Sequence, residues 1–135
     1  MKRLGGFVVA AVVACFFVSV AGAGGIVVES ASPQQVAMLA AVLGDKYPVV
    51  DSVAVKSGQH GGAYYVGANF LAEGLAGKTT GVWLMGGSKS APGLIFSVDG
   101  AAYQFSGMRR ASETKAAAYI SDPECKAIRK YLMAR

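Results

Sequence analysis

The chain has 135 residues, of which 53% are hydrophobic and 16% are charged, and its formal net charge is +5. This length fits one domain, and the hydrophobic content excludes an intrinsically disordered chain. With only two cysteines and one histidine, the chain is neither a disulfide scaffold nor rich in metal ligands, so we expect no metal and no cofactor.

The amino-terminal segment has the three-part layout of a bacterial secretory signal peptide. Two cations near the start precede an uncharged segment, 4–28, with a strongly apolar centre and small residues towards its end. A signal peptidase accepts small side chains and would cleave after Ala23. We therefore predict a signal peptide at 1–23 and a single globular domain at 24–135, secreted or periplasmic.

Two other interpretations of this segment remain open. The uncharged run is long enough to span a bilayer, in which case it is a retained anchor. The residues before Cys15 resemble a lipobox, in which case Cys15 carries a lipid. A membrane is therefore expected as a partner only if the segment is retained or Cys15 is lipidated.

Cleavage after Ala23 leaves a weakly basic domain. It removes two of the 13 Lys and Arg residues and none of the 8 acidic residues, which gives a net charge of +3. This is too small for a nucleic-acid-binding domain, which has a strongly basic face. Cys125 is then the one remaining cysteine, and its spacing with Ile128 and Leu132 predicts a buried thiol on a helix.

The clearest predicted helix covers 33–43. Ser32 is suited to the N-cap, Pro33 to the first helical position, and Gln35 completes a capping box. Gly44 then predicts the end of the helix.

Four strands follow at 49–57, 63–70, 81–85 and 94–98, where β-branched and aromatic residues are frequent. Short links between them predict an antiparallel meander, because parallel strands need long crossovers. The segment 26–29 is either a short strand or an extended arm.

Two more helices are predicted after the meander. Residues 100–106 fit a short helix slightly better than the hairpin that Asp99-Gly100 also suggests. Asp122 and Pro123 predict the start of a carboxy-terminal helix, with the Asp122 side chain as its cap. The fold class is α+β, with an antiparallel sheet of about four strands covered on one face by the amino-terminal and carboxy-terminal helices.

The candidate binding residues are Tyr65, Asn69, Trp83 and His60. The first three are expected to share the uncovered sheet face, and an exposed aromatic patch usually marks a binding site. His60 lies in a Gln-His-Gly-Gly turn and could also act as a general base with a nearby Ser or Asp. The run Gly86–Ser90 lacks the spacing of a phosphate-binding loop and is predicted to be a flexible connection.

The segments 63–68, 81–83 and 92–106, with His60 before them, resemble small exported bacterial proteins of uncharacterised function. The resemblance covers roughly 49–132 and rests on strands and turns. It implies export and one compact unit, and it implies no activity, cofactor or catalytic residue.

The leading interpretation is an exported non-enzymatic binding or accessory module that uses its sheet face and glycine-rich loops to bind a protein or a small molecule. One alternative is a small hydrolase or transferase that uses His60. The other is a membrane-anchored structural protein that retains its amino-terminal segment.

Overall fold

The computed structural model describes Ser19–Val20 and residues 25–135. In these residues, six antiparallel strands form one sheet in chain order, and three helices pack on it. The strands are β1 (Ser19–Val20), β2 (Val27–Ser30), β3 (Val49–Lys56), β4 (Tyr64–Leu71), β5 (Lys78–Gly87) and β6 (Pro92–Ser97). The helices are α1 (Pro33–Leu43), α2 (Gly100–Ser106) and α3 (Pro123–Met133), with a 3-10 turn at Ala111–Glu113.

The α+β class is confirmed, and the predicted count of four strands is too low. Strands β3 to β6 occupy the four predicted segments, and β2 pairs with β3 as a fifth. The two-residue strand β1 pairs with Val27 and Val28 at the outer side of β2. Most of the predicted signal peptide, with Cys15 and the cleavage site at Ala23, lies outside the described residues. Within the described part, no helix is long and apolar enough to cross a membrane.

Helix α1 has the bounds that the sequence predicts. The Ser32 hydroxyl accepts the Gln35 N–H at 3.0 Å, and the Gln35 carboxamide accepts the Ser32 N–H at 2.9 Å. Both halves of the capping box are therefore formed, which satisfies two donors at the start of the helix. Gly44 ends the helix with a φ of +78°, a conformation that costs glycine little.

The segment 100–106, for which the sequence suggests either a helix or a hairpin, forms the helix α2. The Asp99 carboxylate accepts the Ala102 N–H at 2.9 Å and so caps α2. Gly107, with a φ of +70°, ends it. The Asp99-Gly100 pair thus starts a helix instead of turning a hairpin.

Asp122 occupies the N-cap position of α3, but the prediction that its side chain caps the helix is wrong. Its carboxylate accepts the Tyr65 hydroxyl at 2.5 Å and the Tyr119 N–H at 2.9 Å. A buried tyrosine hydroxyl needs a partner, and here that partner comes from the helix terminus.

The sheet carries a separate hydrophobic core on each of its two faces. We call them the α3 face, which packs against Cys125, Ile128 and Leu132, and the α1/α2 face, which packs against Leu39, Leu43 and Ala102. The strands supply alternate residues to the two cores. On the α3 face these residues include Val53, Val55, Tyr65, Val82 and Leu84, and on the α1/α2 face Ala54, Val66, Ala68, Phe70, Trp83 and Met85.

The prediction that the helices cover one sheet face is therefore wrong. The amino-terminal helix α1 and the carboxy-terminal helix α3 lie on opposite faces, and α2 joins α1. Strands β4 and β5 have buried side chains at successive positions as well as at alternate ones. Both faces of the sheet are therefore apolar, and a helix must pack on each of them.

The glycine-rich connection between β5 and β6, predicted to be flexible, is held against the start of the domain. Lys89 Nζ lies 2.7 Å from a Glu29 carboxylate oxygen, and the Ser32 hydroxyl donates to the Lys89 carbonyl at 2.5 Å. These contacts join the loop to β2 and to the N-cap of α1.

Candidate ligand-binding cleft

An open cleft of about 600 Å³ lies between the carboxy-terminal part of α3, the start of α2 and strands β4 and β5. Its volume falls within the ~300–1,000 Å³ range of small-molecule sites. Strands β4 and β5 contribute Asn69 and Thr80. Because both sheet faces are covered, the cleft lies beside the α3 face rather than on an open sheet surface.

Asn69 is a buried residue in the wall of the cleft, and its side chain joins α3 to the sheet by hydrogen bonds. Its side-chain amide donates to the Leu132 carbonyl at 3.0 Å, and its carboxamide oxygen accepts the Thr80 hydroxyl at 2.6 Å. Of the four predicted binding residues, Asn69 is the one that lines the cleft.

Asp99 and Arg129 form an ion pair at one side of the cleft. Arg129 Nη1 lies 2.8 Å from Asp99 Oδ2, while Asp99 Oδ1 accepts the N–H groups of Val82 and Ala102. The aspartate side chain is 2% exposed and the arginine side chain 29% exposed. Both oxygens of the carboxylate are therefore satisfied, whereas the arginine keeps part of its surface in the cleft.

Two more cations, Lys78 and Arg135, line the cleft and are exposed to solvent. Arg135 Nε is 3.5 Å from an Asp51 carboxylate oxygen, and its Nη1 donates to the Tyr131 hydroxyl at 2.9 Å. Lys78 Nζ is 3.5 Å from the main-chain oxygen of Arg135. With Arg129, these residues give the lining three cationic side chains and the single side-chain carboxylate of Asp99, while the Asp51 carboxylate beside Arg135 lies outside the lining.

The apolar part of the lining comes from Ala101, Ile120, Leu132 and Met133. Ile120 and Met133 are 50% and 62% exposed, which is high for large hydrophobic side chains. Exposed apolar surface beside polar groups is typical of a binding site.

The prediction that Tyr65, Asn69 and Trp83 share an exposed sheet face is wrong. Trp83 pairs directly with Val66, so it lies on the α1/α2 face, opposite to Tyr65. Both aromatic side chains are fully buried. The Trp83 indole N–H donates to the Ser106 hydroxyl at 3.0 Å, so its polar atom is satisfied inside the core.

His60 lies in the β3–β4 connection, away from the cleft. The Ser57 hydroxyl accepts the main-chain N–H of His60 at 2.9 Å, which fixes the turn. The imidazole Nε2 is buried, and no described residue makes a hydrogen bond to it. The arrangement required by the hydrolase alternative, a hydroxyl bonded to this imidazole, is not among the contacts of the described residues.

The start of α3 makes buried polar contacts with β4 and with the β3–β4 connection. Burial, followed by the hydrogen bond to Asp122, raises the pKa of Tyr65 well above its ordinary value. Glu124 accepts the Gly58 N–H at 2.7 Å through one oxygen and is almost fully buried. These contacts attach the β3–β4 connection to α3, and we assign them to stability.

The described residues contain no group of three or more His, Cys, Asp or Glu side chains that could hold a metal ion. The expectation that the protein uses no cofactor stays a prediction. The run Gly86–Ser90 leads from β5 into β6 and is not followed by a helix, so it has no helix terminus to offer a phosphate.

Sequence reasoning missed the cationic part of the cleft. Asp99 and Arg129 are 30 residues apart, and Lys78 lies well before both of them in the chain. The Asp99-Gly100 start of α2 was the one local signal, because it marked a capping carboxylate. No family model, no curated protein and no solved structure matches this chain, so the functional argument rests on the cleft itself.

Proposed function

We propose that the protein is an exported, non-enzymatic binding domain that holds a small-molecule ligand in the cleft beside α3. The sequence pointed to the sheet face and the glycine-rich loops as the binding surface. Both faces of the sheet are covered, and Lys89 ties the β5–β6 connection to β2, so the cleft takes their place in this proposal.

One observation carries the proposal: the cleft combines partly exposed cations with exposed apolar side chains in a concave site of ligand size. Its other polar groups are already engaged within the protein. Thr80 donates to Asn69, and Asp99 is bonded to Arg129 and to main-chain N–H groups. This supports binding over catalysis, because a catalytic group needs a free atom to meet a substrate.

The cleft is tested by blocking it. We expect fragments from a mixture of small anions, cations and neutral molecules to shift the amide resonances of Gly77, Ala101 and Ile120. Ala101→Phe should abolish the shifts of Gly77 and Ile120, because the ring fills the cleft. Gln104→Phe is the matched control, since Gln104 is exposed on the same helix and does not line the cleft. Fragments that shift only resonances outside the cleft, in both variants, would overturn the site.

Export is supported by the amino-terminal sequence and is tested by the intact mass of the protein expressed in a bacterial host. We expect loss of residues 1–23 and recovery in the periplasm or medium. Full-length mass in the membrane fraction would support the anchored alternative instead. A lipid-modified mass starting at Cys15 would support lipidation. Either result would contradict release of the domain.

A further inference from the structure

We infer that the ligand of the cleft is a small amphiphile with one anionic head group, of the kind that a medium-chain carboxylate represents. This inference rests on the proposed function and specifies the ligand class of the same site. It follows from three features of the lining: its charge, its remaining hydrogen-bond donors and its exposed apolar side chains.

The charge of the lining favours an anion. The cationic side chains of Lys78, Arg129 and Arg135 and the carboxylate of Asp99 line the cleft, so the side chains of the lining have a formal net charge of +2. The Asp51 carboxylate, outside the lining, lies 3.5 Å from Arg135 Nε and offsets part of this charge. The Asp99 carboxylate is 2% exposed, Arg129 compensates its charge, and two main-chain N–H groups donate hydrogen bonds to it. An incoming anion therefore meets net positive charge in the lining, and the partly exposed carboxylate of Asp51, which is paired with Arg135, lies outside the lining.

The cations also keep donors for a ligand. A guanidinium has five N–H donors, and a single nitrogen of Arg129, Nη1, is used by Asp99. Arg135 uses Nη1 for the Tyr131 hydroxyl at 2.9 Å, which leaves its other N–H groups. The contacts of Lys78 with the Arg135 main chain and of Arg135 Nε with Asp51 are both 3.5 Å long, at the limit of a hydrogen bond. An anionic head group offers these cations shorter, charge-assisted bonds.

The apolar side chains require a ligand with more than a charged group. Met133 lies one helical turn beyond Arg129 on α3, so both present to the same side of the helix. Ile120 and Met133 leave half or more of their surface exposed, while Leu132 is buried beneath. A short alkyl chain would remove this surface from water while the head group bonds the cations.

The test adds sodium decanoate, below its critical micelle concentration, to the purified isotope-labelled protein. The readout is the shift of the amide resonances of Gly77, Ala101 and Ile120. Decyltrimethylammonium and octyl glucoside supply the same kind of tail with a cationic or a neutral head, and butyrate supplies the head with a short tail. We expect decanoate to bind at least about tenfold more tightly than butyrate, the factor that burying roughly two more methylene groups supplies. The cationic amphiphile should produce no cleft shifts.

Matched variants separate this site from general surface binding. Lys78→Gln together with Arg135→Gln should weaken decanoate binding about five- to tenfold, as expected for two partly exposed ion pairs, and added salt should weaken it further. Lys126→Gln removes an exposed cation of α3 that does not line the cleft and should leave the affinity unchanged. Met133→Ala should weaken binding, whereas Leu94→Ala, at an exposed residue of β6 outside the lining, should not.

The outcomes distinguish the inference from the proposed function. If the neutral or the cationic amphiphile shifts the cleft resonances as strongly as decanoate, the site stands and the anionic class is wrong. If butyrate binds as tightly as decanoate, the apolar part of the inference is wrong. If decanoate produces no cleft shifts while other fragments do, the ligand class alone falls. If none of these molecules binds in the cleft, both the ligand class and the proposed site fall.

Discussion

At the residue scale, Cys125 shows how burial sets the chemistry of a side chain. The sequence predicted a buried thiol on a helix, and the structure confirms it, with Cys125 fully enclosed in the core of the α3 face. Burial, with a smaller contribution from the Asp99 carboxylate, raises the pKa of the Cys125 thiol to about 12. The thiolate is the reactive form, so the folded protein should protect this cysteine from alkylation.

The same shift predicts a pH dependence of stability. The folded pKa lies above the ordinary value of 9.0, so the stability that the neutral thiol contributes is complete below pH 9 and is lost as pH rises towards 12. We expect the Cys125 contribution to the free energy of unfolding to fall by roughly 1 kcal/mol by pH 10. Urea unfolding of the wild type and of Cys125→Ala at several pH values measures it. Curves that decline in parallel would show that this thiol does not contribute.

The candidate site was only partly predictable at this scale. Alternation placed Tyr65 and Asn69 together on one face of β4, and the structure confirms that pairing. It could not place Trp83 relative to them, because the face of a residue on β5 depends on the register with β4. The register joins Trp83 to Val66 and thereby moves the tryptophan to the opposite core.

At the element scale, α3 packs directly against the centre of β4 because Gly67 has no side chain. A Cβ built on Gly67 would lie 2.2 Å from Ile128 Cγ2 and 3.1 Å from Leu132 Cδ1. The Ile128 methyl group is attached to a β-branched carbon with restricted rotamers, so it has little freedom to move away. A short strand–helix distance at this point also brings Leu132 within reach of Asn69 and so shapes the wall of the cleft.

Gly67→Ala should therefore displace α3 and lower the free energy of unfolding by about 1–3 kcal/mol, the usual cost of overpacking a core. Gly61→Ala is the matched control, because a Cβ there meets no atom within 4 Å and its backbone is not in the left-handed region. Chemical denaturation of both variants measures the difference. Equal stability of the two variants would show that α3 adjusts freely on β4.

At the scale of the whole molecule, one sheet serves two cores. The strands contribute alternate residues to the α1/α2 face and to the α3 face, so neither core exists without the sheet. The loop between β5 and β6 also reaches back to β2 through Lys89 and Glu29, which connects late and early parts of the domain. We therefore expect both faces to unfold together in one transition.

Ile128→Ala tests this coupling, since Ile128 belongs to the α3 face and Trp83, the single tryptophan, reports on the α1/α2 face. The substitution should lower the free energy of unfolding by about 2–5 kcal/mol, as large-to-small changes in a core do. Tryptophan fluorescence and far-ultraviolet circular dichroism should then show the same shifted midpoint. Leu94→Ala, at a largely exposed residue of β6, is the control and should change little. Separate midpoints would mean that the two faces unfold independently.

The sequence by itself determined the features that depend on neighbouring residues. Capping signals placed α1, alternation and short connections gave an antiparallel meander, and the Asp99-Gly100 pair marked a turn or a helix start. Tertiary structure decided which faces the helices cover, that β2 joins the sheet, and that Asp122 bonds Tyr65 instead of capping α3. It also assembled the cleft, because Lys78, Asp99 and Arg129 meet only after strand register and helix packing are set. The reason is physical: local hydrogen bonds and side-chain periodicity act over a few residues, whereas the cleft depends on contacts between segments far apart in the chain.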